Sequence, residues 1–128
     1  MNQYEVGAGR TRLRLSWSRQ GADIRLHISG GEDHVGAVAL AGRGSDGQAY
    51  LEVLRLKPHR EEVLVRRAAE RLREAIGATV CVTAGVHLDR ADAGEIETII
   101  SNSEAGVSRL IGILAGDPDD LPARSQNQ

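Results

Sequence analysis

Residues 11–29 read TRLRLSWSRQGADIRLHIS, two alternating runs that meet at a glycine. Every second residue is apolar, with Leu13, Leu15 and Trp17 in the first run and Ile24, Leu26 and Ile28 in the second. An alternation with a period of two is typical of strands that bury one face. Because the turn Arg19-Gln20-Gly21 is short and its glycine tolerates a positive φ, the two runs predict a β-hairpin with one wet face.

The rest of the chain continues this pattern with further strands and two helices. We predict strands at 35–41, 50–56 and 79–84, a helix at 59–76 and a second helix from Asp92 to about Leu114. The strand at 35–41 is apolar throughout, so we expect it to be covered on both faces. Glu61 and Glu62 fall in the first turn of the first helix, where acidic side chains complement the helix dipole. Asp92 and Glu95 have the spacing of a capping box at the start of the second helix.

The order β-β-β-β-α-β-α predicts an α+β fold. We expect a single domain over residues 1–116, with a mostly antiparallel sheet of about five strands and two helices on one face. We expect the hairpin to form a more solvent-exposed edge of this sheet. Residues 117–128 are polar and follow a Gly-Asp-Pro stop, so we expect a disordered tail.

Composition excludes several functional classes. The chain has 128 residues, a net charge of −2 and only three aromatic side chains, which gives no electrostatic or stacking basis for nucleic-acid binding. One cysteine, Cys81, cannot form an internal disulfide and suits a reducing compartment. Since we find neither a signal peptide nor a membrane span, we expect a cytoplasmic protein that does not contact membranes.

Three histidines lie in polar segments marked by glycine or proline. They are His34 in GGEDHVG (30–36), His59 in PHREE (58–62) and His87 in GVHLD (85–89). The strand before Pro58, the first helix and the next strand resemble a βαβ unit, which is usually parallel with a right-handed crossover. That topology, with a short turn between the strands at 35–41 and 50–56, brings all three segments to one end of the sheet.

Several kinds of chemistry fit such a cluster. A cofactor or anion pocket would use Gly31, Asp33, His34, His59, Arg60, His87 and Asp89, with Arg60 at a helix N-terminus and the two aspartates orienting the imidazoles. A metal site would use His34, His59 and His87 as ligands, although no compact metal motif is present. Acid–base catalysis by a histidine and a carboxylate is a third interpretation. A purely structural dimer that associates through the hairpin face is a fourth.

The same segments carry a family resemblance. The stretches 30–39, 58–62, 85–89 and 95–102 together resemble the prenylated-flavin chaperone-like family, whose members include the small D subunit of gallate and related hydroxyarylic acid decarboxylases. The resemblance covers about residues 22–114. It implies an accessory, non-catalytic protein that handles prenylated FMN or FMN for a large decarboxylase subunit. Because small domains often form C2 dimers, we also expect a homodimer. The alternatives are a small metal-dependent or acid–base enzyme and a structural dimerisation domain.

Overall fold

The hairpin forms at the predicted place within a larger mixed sheet. The computed structural model describes residues 2–56 and 61–116. In chain order its elements are β1 (Asn2–Val6), a short 3-10 helix (Gly9–Thr11), β2 (Leu13–Gln20), β3 (Asp23–Gly30), β4 (Ala37–Arg43), β5 (Ala49–Arg55), α1 (Glu61–Ile76), β6 (Val80–Val86) and α2 (Ala93–Leu114). The α+β fold is therefore confirmed.

The sheet contains six strands in the order β1-β2-β3-β6-β4-β5. Only the β3–β6 pair is parallel, and the four other pairs are antiparallel. The expected count of about five strands missed β1, in which Tyr4 and Val6 are only half-buried. Five residues with weak alternation between polar neighbours are a poor strand signal in a single sequence.

The hairpin of β2 and β3 lies inside the sheet, so the expectation that it forms an edge is wrong. β1 pairs along β2, with Tyr4 opposite Leu15, and β6 pairs along β3, with Leu26 opposite Val82. The two edges of the described sheet are β1 and β5. Backbone groups of the hairpin that would otherwise face solvent are thus satisfied on both sides.

Both helices pack on the same face of the sheet. The core face presents fully buried side chains such as Leu15, Ile28 and Val82, and the helices contribute Leu72 and Leu110 to the same cluster. The opposite face has no helix over it in the described residues. Strand β4 is therefore covered on one face only, contrary to expectation, and its Leu40 is 42% exposed.

Helix α2 begins with the predicted capping box. The Glu95 backbone N–H donates to Asp92 Oδ1 at 2.7 Å, and the Asp92 N–H donates to Glu95 Oε1 at 3.2 Å. Each side chain thus satisfies a backbone donor that has no partner within the helix. None of the described helices is long and apolar enough to cross a membrane.

One end of the sheet collects the segments that carry the predicted site, and we call it the site edge. Strands β3 and β6 end there together, with Gly30 opposite Val86, and β4 begins there, with Ala37 opposite both Ala84 and Arg55. Strands β5 and β6 run in the same direction, but β4 lies between them. Segments 30–36 and 85–89 therefore start at the site edge, whereas His59 and Arg60 lie outside the described residues.

Two glycines let these segments touch. A Cβ on Gly85 would collide with the carbonyl oxygen of His34, so the 31–35 segment crosses directly over β6 at this position. Gly31 has a φ of +68°, and a Cβ there would collide with the carbonyl oxygen of His87. Only a residue without a side chain fits such close approaches of two backbones.

We expect Gly85→Ala to lower the free energy of unfolding by about 1–3 kcal/mol, because the backbone at His34 must move to admit the methyl group. The matched control is Gly94→Ala, where the nearest described atom is Asp92 Oδ1 at 3.4 Å from the new Cβ. Urea unfolding measures both. If the two variants were equally stable, the crossing of His34 over Gly85 would be contradicted.

Candidate functional site

A buried carboxylate, Glu61, stands at the start of α1 and at the site edge. Its side chain is 1% exposed, and Oε2 accepts the backbone N–H of Val86 at 2.7 Å. The same Oε2 lies 3.0 Å from His34 Nε2. Gly36 packs against this carboxylate, because a Cβ there would collide with Oε1. Glu61 thus joins α1, β6 and the segment that carries His34.

The two ring nitrogens of His34 contact oxygen atoms of two different residues. Nδ1 lies 3.0 Å from the carbonyl oxygen of Glu32, which can only accept, so Nδ1 carries a hydrogen. Nε2 faces the buried Glu61 carboxylate at 3.0 Å. Both ring nitrogens are therefore engaged, while 40% of the His34 side chain is exposed, so a ligand can reach the imidazole ring.

His87 lies on the other side of the crossing segment. Its backbone N–H donates to the carbonyl oxygen of Gly30 at 2.9 Å, which fixes the chain at the end of β6. Its Nε2 lies 2.9 Å from Asp89 Oδ1, and the two side chains are 57% and 80% exposed. The imidazole is thus oriented by a carboxylate and remains open to solvent.

Asp33 contacts a histidine that the sequence analysis did not place in the site. Asp33 Oδ1 lies 2.8 Å from His27 Nε2, and His27 Nδ1 lies 2.6 Å from Thr83 Oγ1. In the sequence His27 alternates with the apolar Leu26 and Ile28, and no sequence signal indicates that the segment after β3 folds back over it. The 31–35 segment is therefore held at two points, by Asp33 on His27 and by His34 on Glu61.

Arg10 ties the segment after His87 to α2. Its guanidinium donates to the carbonyl oxygen of Asp89 at 2.8 Å and forms an ion pair with Glu95 at 2.9 Å. The hydrogen bond from Arg10, followed by the one from the Asp92 backbone N–H, lowers the pKa of Glu95 below its usual value. Because this pKa is lowered in the folded state, the ion pair is present at neutral pH and is lost as the pH falls through that value.

Among the predicted site residues, the structure places Gly31 against the backbone of His87 and pairs His87 with Asp89, whereas Asp33 contacts His27. The backbone of His34 lies against Gly85, which is outside the predicted set. The structure adds Glu61, which the sequence analysis assigned only to the helix dipole, since no sequence pattern indicates that a first-turn glutamate faces inward. The described residues contain no group of three or more His, Cys, Asp or Glu side chains able to hold a metal ion. The three-histidine metal hypothesis also requires His59, which lies outside the described residues.

Comparisons with known proteins give a family and a fold. A family model described as the prenylated flavin chaperone LpdD-like domain matches residues 7–115. The fold is similar to a chain in the crystal structure of a novel chaperone complex for yeast 20S proteasome assembly, with a TM-score of 0.62 and 13% identity over 94% of this chain and 96% of that chain. At that identity the similarity shows the fold alone. No curated protein matches this sequence.

We expect Glu61→Ala to lower the free energy of unfolding by about 2–4 kcal/mol, because it leaves the buried Val86 N–H without its acceptor. Glu61→Gln should cost less, about 1 kcal/mol, since its amide carbonyl can still accept the Val86 N–H. Denaturant unfolding checks both variants. The control is Glu62→Ala, whose surface ion pairs predict a loss of at most about 1 kcal/mol. Equal stability of Glu61→Ala and wild type would contradict this structural role.

Proposed function

This chain belongs to the prenylated flavin chaperone LpdD-like family, and we propose from this membership that it is an accessory protein for a flavin cofactor. The ligand we propose is FMN or prenylated FMN, and the recipient is the large subunit of a hydroxyarylic acid decarboxylase. The observation that carries the proposal is the family match over residues 7–115, which spans the whole described sheet from β2 onward together with both helices. The site edge supplies the contacts.

The proposed ligand site consists of Gly31, Asp33, His34, His87 and Asp89, completed by His59 and Arg60 from the segment before α1. His34 and His87 are partly exposed at the rim of the sheet. Both ring nitrogens of His34 already contact Glu32 and Glu61, whereas His87 uses only Nε2, toward Asp89, among the described residues. The edge of an isoalloxazine ring offers alternating hydrogen-bond donors and acceptors, one of which His87 Nδ1 can match. We propose that His87 contacts the ring edge of the flavin and that the exposed ring of His34 packs against the flavin.

The open geometry of this site suits a cofactor that is held at the surface rather than enclosed in a closed pocket. Trp17 is buried in the core and Tyr4 lies under the Arg109 guanidinium, 4.4 Å from the ring centroid, so neither offers a free stacking face at the site edge. Hydrogen bonds at an open rim bind less tightly than a closed aromatic slot. Such binding suits a protein that passes its cofactor to another.

Exposed apolar side chains beside the site support a protein partner. The five large apolar side chains that are exposed in the described residues all lie between positions 35 and 56, and they are Val35, Leu40, Tyr50, Leu54 and Leu56. Val35 follows His34, and the Leu56 N–H donates to the carbonyl oxygen of Gly36 at 3.0 Å. Apolar surface on an edge strand marks a contact site, so we propose that the decarboxylase subunit docks on β5 next to the bound flavin.

An acid–base enzyme is the second candidate function, and the contact between His34 and the buried Glu61 carboxylate favours it. A histidine beside a carboxylate can give or take a proton during a reaction. Turnover of a hydroxyarylic acid by the isolated chain would support this candidate. Binding of flavin without turnover supports the accessory function.

We expect the metal-free protein to bind FMN or prenylated FMN saturably, followed by flavin fluorescence and absorbance. His34→Ala should weaken binding about tenfold or more, equivalent to about 1.4 kcal/mol, because it removes a ring contact. Arg66→Ala is the control, since Arg66 lies on α1 and pairs with Glu62. Thermal unfolding of each variant establishes that it is folded. Absence of binding by folded wild type would contradict independent flavin carriage.

We expect Leu54→Glu to leave flavin binding intact and to abolish flavin transfer to the apo-decarboxylase subunit, because a charge replaces an apolar contact. Arg66→Glu is the control for a charge change away from β5. Transfer is measured as flavin absorbance that co-elutes with the large subunit. Transfer by the Leu54→Glu variant at the wild-type rate would contradict docking on β5. Dissociation of a dimer in sedimentation, with transfer unchanged, would assign this surface to a second copy of the chain instead.

A further inference from the structure

A pocket lined by arginines opens at the site edge, on the side away from α1. Its volume is about 320 Å³, and its polar wall is formed by Arg10, Arg12, Arg14, Glu5 and Ser29. The backbone of Gly30 and Gly31 forms another part of the lining. We propose that this pocket binds a phosphate monoester through Arg12, Arg14 and the Ser29 hydroxyl.

Two of these guanidinium groups, those of Arg12 and Arg14, keep hydrogen-bond donors that no described residue uses. Arg12 Nη1 lies 3.6 Å and Arg14 Nη2 lies 3.9 Å from the carboxylate of Glu5, so both share one carboxylate at distances beyond a hydrogen bond. Neither side chain makes a hydrogen bond within the described residues. By contrast, Arg71 on the helical side donates to the Glu104 side chain and carbonyl and to Ser108. Arg12 and Arg14 are thus close to an acceptor group without being saturated by it.

The strand register places the polar groups in a row on the open face of the sheet. Glu5 lies opposite Arg14, Arg14 opposite Ser29, and Ser29 opposite Gly85. Ser29 is 4% exposed, and its hydroxyl makes no hydrogen bond in the described part of the chain. The row ends at Gly85, where the backbone of His34 crosses. The pocket and the flavin-ring site are therefore neighbours on one surface.

The charge and size of the pocket favour a small dianion. Three guanidinium groups and one carboxylate line it, and Arg10 is already engaged by Glu95. With the Glu5 carboxylate counted, Arg12 and Arg14 leave a net charge of +1, which attracts a phosphate monoester, and their guanidinium groups offer paired donors to its oxygens.

This assignment gives the proposed flavin an orientation. The phosphate at the end of the ribityl chain would lie between Arg12 and Arg14, and the isoalloxazine ring would lie toward His34. That the phosphate belongs to a flavin rests on the proposed function, whereas binding of a phosphate group does not. The pocket therefore has a test that uses no flavin.

The test compares the Arg12→Gln, Arg14→Gln double variant with the wild type. Inorganic phosphate is titrated by ³¹P NMR, and FMN and riboflavin are titrated by fluorescence. We expect the double variant to lose phosphate binding and to weaken FMN binding at least tenfold, with riboflavin binding unchanged. The control is the Arg43→Gln, Arg66→Gln double variant, which removes the same charge from arginines that also pair with surface glutamates.

The outcomes separate the pocket from the proposed function. Wild-type phosphate and FMN binding by the Arg12, Arg14 double variant would overturn the pocket, as would an equal loss in the control variant, which would indicate net charge alone. Phosphate binding that is lost in the double variant, with no binding of FMN or riboflavin, would support the pocket and overturn the flavin function. Equal affinity for FMN and riboflavin would support flavin carriage and overturn the pocket as the phosphate site.

Discussion

The contact between the Glu61 carboxylate and the Val86 backbone N–H holds the site edge together. Glu61 opens α1, Val86 closes β6, and His34 meets the same carboxylate oxygen from the segment after β3. Three parts of the chain that are far apart in sequence therefore converge on one buried group. A buried carboxylate is stable only where donors surround it, so the position of His34 is coupled to the packing of α1 on the sheet.

Much of the fold was predictable because its signals are local. Alternating apolar residues predicted the hairpin of β2 and β3, and Asp92 with Glu95 predicted the start of α2. Leu64 and Leu72, which lie at helical spacing in the sequence, are both buried on α1. The exceptions depend on distant partners. β1 is a strand because β2 offers it an edge, and the exposure of Leu40 depends on which face the helices cover. Neither fact is contained in the residues themselves.

The candidate site was likewise predictable only in part from the sequence. Glycine and histidine composition pointed to segments 30–36 and 85–89, and topology put both at one end of the sheet. Side-chain pairing could not be predicted, since Asp33 turns to His27 and the inward-facing glutamate has the same sequence context as its exposed neighbour Glu62. The arginines of β2 were equally visible in the sequence, but only the register across β1, β2 and β3 shows that Arg14 and Ser29 lie side by side.

The central place of β6 has a consequence for how the chain folds. Among the described strands β6 comes last in the chain, yet it separates β3 from β4 and pairs with both. Without residues 80–86, the described strands can pair only as two separate groups, β1-β2-β3 and β4-β5, and each group has an unpaired edge where β6 inserts. Closing the sheet then requires contacts over long sequence separations, which slows folding and leaves those edges open to association. The sheet of this chaperone-family chain therefore becomes continuous only when β6 pairs with both β3 and β4.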